Sequence, residues 1–255
     1  METAMDWNKY KHASDEEKIQ MLKDGAEQGD ALCQFGYGCY LASIDPAETE
    51  WLKASAMQGF TVAQHALGLK KTGFESRLWL QRSAEGGCMA SWFVLGMLYE
   101  YGHNDDFFNK DSFSAVLCYK NSIENDYDED RLKGTLGALY SDFIWENLVL
   151  DGAVCVVAAQ YRLGMLYLER RDIAHAVDTG LGWLTKAADN GHAEATYTLG
   201  YIYANGSYGV VRDITKASQL IESYKNQPDK LDPKAQERLR YALSLCLDSK
   251  GGLSK

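Results

Sequence analysis

Apolar and small residues recur along this chain in two alternating blocks, each with helical spacing. The first block reads WLKASAMQG from Trp51 and recurs as WLQRSAEGG from Trp79 and WLTKAADNG from Trp183. It also recurs from Met21 as MLKDGAEQG, with Met in the Trp position. The second block follows, with a glycine nine residues after the glycine that ends the first. Because one face of a helix repeats every three or four residues, both blocks predict helices with one apolar face.

The glycine of the second block, here called the anchor glycine, marks each repeat. Six anchor glycines are recognisable, at irregular spacings: Gly38, Gly68, Gly96, Gly137, Gly164 and Gly200. Small residues at this position let two helices approach closely. The glycines that end the first block, among them Gly29, Gly59 and Gly191, fit the left-handed conformation that ends a helix. Each pair of blocks therefore predicts a helix–turn–helix unit, which must stack on its neighbours to bury its apolar stripe.

Local signals also predict where several helices begin. Ser14 followed by Glu17 has the spacing of a capping box. Asp45 followed by Pro46 predicts a helix start, because aspartate caps helices and proline suits the first helical position. The same dipeptide at Asp232 opens a final amphipathic stretch, which we interpret as a terminal capping helix.

The last repeat, LGYIYANGSYGVVRDITKA, resembles the Sel1-like repeat (SLR) family, whose members are related to tetratricopeptide repeats. The matching residues are Leu199, Gly200, Tyr203, Gly206, Gly209, Val210, Asp213, Lys216 and Ala217. The resemblance covers roughly residues 14–225. It implies an all-α fold, an α-solenoid of about six helix–turn–helix repeats over residues 1–225. A C-terminal capping helix and a frayed tail over residues 226–255 would complete the same domain.

By the same resemblance, the first helix of each pair lines a concave groove. Aromatic and methionine side chains in such a groove suit protein binding. The candidate groove residues are Phe35, His65, Phe93, Met97, Tyr101, Tyr161, Met165, Tyr197 and Tyr201, and the position after the anchor also holds Cys39 and Leu69. The alternative is that these side chains pack between neighbouring repeats, as aromatic residues at helical spacing commonly do.

Negative charge is concentrated in one segment of the chain. Residues 100–151 contain twelve acidic and four basic side chains, a balance of −8 in a chain whose net charge is −10. This segment supplies a second set of candidate binding residues: Glu100, Asp105, Asp106, Phe107, Phe108, Asp126, Asp128, Asp130 and Asp142. Such a surface suits a basic protein partner. The alternative is that these acids only keep the protein soluble.

The sequence shows little sign of catalytic chemistry. HExxH, Walker A and GxSxG motifs are all missing, and the five histidines have no metal-ligand spacing. Asp126, Asp128 and Asp130 imitate a calcium loop, but Arg131 stands where the loop needs glycine. We therefore expect no catalytic residue, metal or cofactor. A hydrolase with a groove Cys or Ser nucleophile stays as an alternative.

The acidic composition and the lack of targeting signals exclude further classes of function. The acidic balance argues against nucleic acid as a partner, and no stretch has the length of a signal peptide or a membrane span. The six cysteines lack a CxxC pair and are interpreted as reduced core thiols, so we expect a cytoplasmic protein. Our leading hypothesis is a non-enzymatic adaptor, scaffold or regulator that is monomeric when unbound. An immunity protein that neutralises a bacterial toxin is an alternative.

Overall fold

The computed structural model describes residues 5–102, 109–124, 152–170 and 173–224. The regular structure of these ranges is helical. The chain forms two compact units, residues 1–155 (unit 1) and residues 156–255 (unit 2). The boundary between the two units falls inside one helix.

Unit 1 is built from consecutive helices, each of which packs against the next along the chain. They are α1 (Trp7–His12), α2 (Asp15–Glu27), α3 (Ala31–Ile44), α4 (Glu50–Met57), α5 (Thr61–Lys70), α6 (Gly73–Glu85), α7 (Met89–Tyr101) and α8 (Ser112–Glu124). The first residues of α9 (Gly152–Glu169) also belong to this unit.

Unit 2 contains the rest of α9 and the helices that follow it. These are α10 (Ala176–Asp189), α11 (Ala193–Asn205), a short 3-10 turn (Ser207–Gly209) and α12 (Ile214–Tyr224). Helix α11 packs against both α10 and α12. The pairs expected from the sequence are therefore present in this unit too. The first helix of a pair carries the anchor glycine, and the second helix supplies the residue that faces it. In unit 2, α9 and α11 are first helices and α10 and α12 are second helices.

The anchor glycines lie where the first helix of a pair meets the second. A Cβ atom added to Gly68 would come within 2.7 Å of Leu80 Cγ, and one added to Gly164 within 2.6 Å of Leu184 Cγ. The same close approach recurs at the other described anchors, with these partners: Gly38 with Leu52, Gly96 with Tyr119 and Gly200 with Ile221. The all-α helix–turn–helix architecture is thus confirmed. The repeat at Gly137 and the capping helix in residues 226–255 lie outside the described residues.

The predicted helix ends are mostly confirmed. The backbone N–H of Ser14 donates to Glu17 at 2.8 Å, and the Ser14 hydroxyl accepts from the Glu17 backbone N–H in return. Gly29, Gly59 and Gly191 all have φ between 87° and 90°, as the ends of helices require.

The helix start predicted at Asp45 and Pro46 is wrong. Helix α3 ends at Ile44, and the Asp45 carboxylate instead accepts the Ala47 backbone N–H at 3.0 Å, which closes a turn. Helix α4 begins only at Glu50. Aspartate stabilises turns and helix starts by the same kind of hydrogen bond, so the motif alone does not distinguish them.

Candidate functional site

The position three residues before each anchor glycine lies mostly in the core. Phe35, His65, Phe93 and Tyr197 are all buried, and Tyr161 is half-buried. These side chains pack between helices, which is the alternative that the sequence left open. The rings contact aromatic neighbours, for example Phe35 and Phe60 with centroids 5.4 Å apart, and Phe93 and Tyr119 with centroids 5.7 Å apart.

The position one residue after the anchor is more accessible. In unit 1 Leu69 is 44% exposed and Met97 is half-buried, while Cys39 is buried. In unit 2 the same position holds Met165 and Tyr201, both half-buried. At this position Leu69 is exposed, whereas Met97, Met165 and Tyr201 pack partly against the core and keep only part of their surface accessible.

The end of α7 combines an exposed aromatic ring with an oriented carboxylate. Tyr101 is 62% exposed, and the preceding residue, Glu100, is half-buried. The Tyr119 hydroxyl donates a hydrogen bond to Glu100 Oε2 at 2.6 Å. Burial, together with the neighbouring Glu100, raises the pKa of the Tyr119 phenol, so the phenol stays protonated and Glu100 is the acceptor. This contact fixes the direction of the carboxylate.

Tyr161 stacks on a histidine of the same unit. Its ring lies 4.6 Å from the ring of His192 with an interplanar angle of 18°. Burial lowers the pKa of His192, which favours the neutral ring. His192 Nδ1 accepts the Ala195 backbone N–H at 3.3 Å and so caps α11. Tyr161 is therefore packed against a helix cap.

Hydrogen bonds from buried serines join the two helices of a pair, and the sequence pattern did not predict them. A serine of the second helix donates to the carbonyl oxygen seven residues before the anchor glycine, and the three bonds are Ser55 to Ala31 at 2.6 Å, Ser83 to Thr61 at 2.7 Å and Ser122 to Met89 at 3.0 Å. A signal was present in two of the first blocks, where Ser55 and Ser83 follow the leucine by three residues, and Ser122 follows Tyr119 by the same interval.

A pair of side-chain amides links the same elements in both units. Gln58 donates to Gln34 at 2.8 Å, and Asn190 donates to Gln160 at 2.9 Å. Gln34 and Gln160 both lie four residues before their anchor glycines, and Gln58 and Asn190 both precede the glycine that ends the first block. The recurrence shows that these amides are part of the repeat and not of one site.

One serine–histidine pair bears on the hydrolase alternative. His65 Nδ1 lies 2.7 Å from Ser91 Oγ, and Ser91 Oγ lies 2.8 Å from Ser83 Oγ. Ser83 must use its only proton for the Thr61 carbonyl, so Ser91 must donate to Ser83. It follows that His65 donates to Ser91 from Nδ1.

A catalytic base would have to accept the serine proton instead. His65 and Ser91 are also fully buried, where no substrate reaches them. The pair is therefore not arranged for nucleophilic catalysis. Burial likewise raises the pKa values of the Cys39 and Cys118 thiols, to about 12 for Cys118, so both stay protonated.

Most of the predicted acidic site lies outside the described residues. This applies to Asp105, Asp106, Phe107, Phe108, Asp126, Asp128, Asp130 and Asp142. Among the residues that are described, no group of three or more His, Cys, Asp or Glu side chains is placed to hold a metal ion. Within the same ranges, none of the helices has both the length and the apolar character that crossing a membrane requires.

Comparison with known proteins identifies the repeats. The Sel1 repeat family matches residues 93–127, 157–192 and 193–222. The crystal structure of a Sel1 repeat protein from Oxalobacter formigenes superposes with a TM-score of 0.57 and 22% identity, covering 86% of this chain and 84% of that one. A protective antigen of uropathogenic Escherichia coli with an SLR fold has a TM-score of 0.46 and 22% identity, over 95% of this chain and 59% of that one. No curated protein matches the sequence significantly.

Three segments of the chain therefore match the Sel1 repeat, and the resemblance of the chain to the SLR family is confirmed. Sel1 repeats generally mediate protein–protein interactions and are generally non-catalytic.

Proposed function

We propose that this chain is a non-catalytic module that binds a protein partner through the surface of its first helices. The observation that carries the proposal is a difference in burial between two positions on the same helix face, four residues apart. The position three before the anchor is mostly buried, whereas the position one after it keeps apolar side chains such as Leu69 and Met97 accessible. Accessible apolar side chains on a rigid helical scaffold are typical contact residues of protein interfaces.

We also propose that the partner presents a cationic side chain to the end of α7. The Tyr119 hydroxyl already holds the Glu100 carboxylate in one orientation, so binding would cost little further ordering. Tyr101 beside it offers an exposed ring, which a lysine or arginine side chain can cover. The acidic balance of residues 100–151 supports a basic partner by long-range attraction.

The apolar contact is tested by a pair of matched leucine variants. Leu69, on a first helix, is 44% exposed, and Leu117, on a second helix, is 51% exposed. Proteins captured by the wild-type chain are identified, purified and titrated against Leu69→Ser and Leu117→Ser. We expect Leu69→Ser to weaken binding about fivefold, since burying the exposed part of this leucine is worth about 1 kcal/mol. Equal effects of the two variants would contradict the proposal.

The charge contact is tested in the same assay. Glu100→Gln should weaken binding and reduce its salt dependence, whereas Glu85→Gln, an exposed acid on a second helix, should change neither. Binding that is insensitive to salt in the wild-type chain would contradict a basic partner without affecting the proposed apolar contact.

An immunity role is a narrower form of the same proposal. It requires that the captured partner be a toxin and that binding abolish the activity of the toxin. An adaptor would instead bind without inhibiting its partner, so an activity assay of the complex distinguishes the two roles.

A further inference from the structure

The hydrogen bonds that start at His65 form one chain across three successive helices. His65 lies in α5, Ser91 in α7 and Ser83 in α6, and the chain ends at the Thr61 carbonyl at the start of α5. Each hydroxyl both accepts and donates once, so the direction of every bond is fixed by the carbonyl at the end. The chain is complete only when Nδ1 of the ring carries a proton.

The second ring nitrogen has no comparable partner. Nε2 of His65 is buried and has no hydrogen-bond partner within the described ranges. In the neutral ring this nitrogen is only an unused acceptor. Protonation would turn it into a charged donor that has nothing to donate to, which is costly in a buried position.

The surroundings offer the protonated ring no compensating charge. Burial is the only cause that lowers the pKa of His65, to about 4, from its ordinary value of 6.5. The titratable side chains on α5 and on the neighbouring helices are Lys70 in α5, Cys33, Tyr37, Cys39 and Tyr40 in α3, Glu50 and Lys53 in α4, Glu75, Arg77, Arg82 and Glu85 in α6, and Tyr99, Glu100 and Tyr101 in α7, with Cys88 at its start. None of them contributes to the shift.

We propose that these hydrogen bonds and the unpaired Nε2 form an acid-sensitive clamp. It keeps α5, α6 and α7 closed while His65 is neutral, and protonation favours the open state because the closed site would have to bury a charged ring whose Nε2–H has no acceptor. The sign follows from linkage. An opened or unfolded His65 takes up a proton near pH 6.5, whereas the closed site resists it until about pH 4, so acid favours the open state between these values. The stability that the clamp provides is complete above about pH 7 and is lost as the pH falls.

Within the described part of unit 2, the hydrogen bonds of the clamp have no counterpart. At the corresponding three positions of unit 2 the residues are Tyr161, Ala187 and Ala195, none of which is a histidine. Burial also lowers the pKa of His192, which stacks on Tyr161, so unit 2 has an acid response of its own. The response of α5, α6 and α7 is the part that His65 should account for.

Hydrogen exchange on the full chain tests the proposal, with protection factors corrected for the intrinsic rate at each pH. Between pH 7.5 and pH 5, linkage predicts that the opening constant of α5, α6 and α7 rises roughly 30-fold in the wild-type chain. His65→Asn keeps a donor near the Nδ1 position but cannot titrate, so this rise should disappear. His175→Asn is the matched control, since His175 is exposed and has φ +60°, which asparagine tolerates. It should leave the rise unchanged.

A second measurement does not depend on any variant that might fail to fold. Nitrogen-15 NMR of the histidine rings in the wild-type chain should show His65 as the Nδ1–H tautomer at pH 7, with no titration above pH 5. The Nε2–H tautomer, an ordinary titration near pH 6.5, or the same acid response in His65→Asn would each overturn the clamp.

Discussion

Two junctions between repeats use the same three positions and fill them with different chemistry. In unit 1 the positions hold His65, Ser83 and Ser91, which form a hydrogen-bonded chain. In unit 2 they hold Tyr161, Ala187 and Ala195, which belong to one apolar cluster. Both sets sit beside a close contact between an anchor glycine and a leucine.

The difference shows what the repeat fixes and what it leaves free. The repeat fixes the size and burial of each position, because the helices can approach only if these side chains fit. It leaves polarity free as long as every buried donor finds an acceptor. The first junction of unit 1, with Phe35, Ser55 and Ala63, is intermediate, since its serine bonds directly to a backbone carbonyl.

The largest effect is expected where the two junctions are alike. Gly68→Ala and Gly164→Ala each place a methyl group less than 3 Å from the facing leucine. Both should lower the free energy of unfolding by about 3 kcal/mol, measured by urea denaturation. Gly182→Ala is the control, because it has open space in α10 and should stabilise that helix by about 0.5–1 kcal/mol. A small loss of stability in Gly68→Ala together with a large loss in Gly164→Ala would show that the two junctions are not packed alike.

A smaller effect is expected where the junctions differ. Ser83→Ala removes the acceptor of Ser91 and leaves a buried hydroxyl unpaired, which should cost about 2 kcal/mol in the same assay. The triple variant His65→Phe, Ser83→Ala and Ser91→Ala replaces all three hydrogen-bonded side chains. It should lower the free energy of unfolding by less than Ser83→Ala alone, because no buried side-chain polar group is then left without a partner. A triple variant that is less stable than Ser83→Ala would show that the polar chain is required for packing itself.

The position that faces the anchor glycine allows a third test. Unit 2 has Leu184 there, and the α7–α8 pair of unit 1 has Tyr119, whose hydroxyl binds Glu100. Tyr119→Phe keeps the ring against Gly96 and removes only the hydrogen bond. We expect a loss of about 1 kcal/mol in the free energy of unfolding. A loss as large as that of Gly68→Ala would mean that the ring itself had moved.

Much of this architecture follows from the sequence, and the limits have physical reasons. The anchor glycines and the leucine of each first block recur at a fixed offset, so the helix pairs were predictable. The residues that face Gly96 and Gly200 are instead Tyr119 and Ile221. The partners of His65 were not predictable, because His65 occupies a position that holds aromatic rings in other repeats. Its chemistry depends on Ser83 and Ser91, which only the folded chain brings together. The helix start predicted at Asp45 was wrong because an aspartate caps a turn as readily as a helix.

The smallest effect on stability is expected on the surface. Leu69→Ser and Leu117→Ser both replace a side chain that is about half exposed, so each should change the free energy of unfolding by less than about 0.5 kcal/mol. A large loss in either variant would show that the residue belongs to the core, and that variant would then not report on binding.

The most direct test of the proposed function is the affinity of these two variants for a purified partner of the wild-type chain. Binding through the first helices predicts that Leu69→Ser raises the Kd about fivefold and that Leu117→Ser leaves it unchanged. Equal affinities for the two variants, or a loss confined to Leu117→Ser, would contradict it.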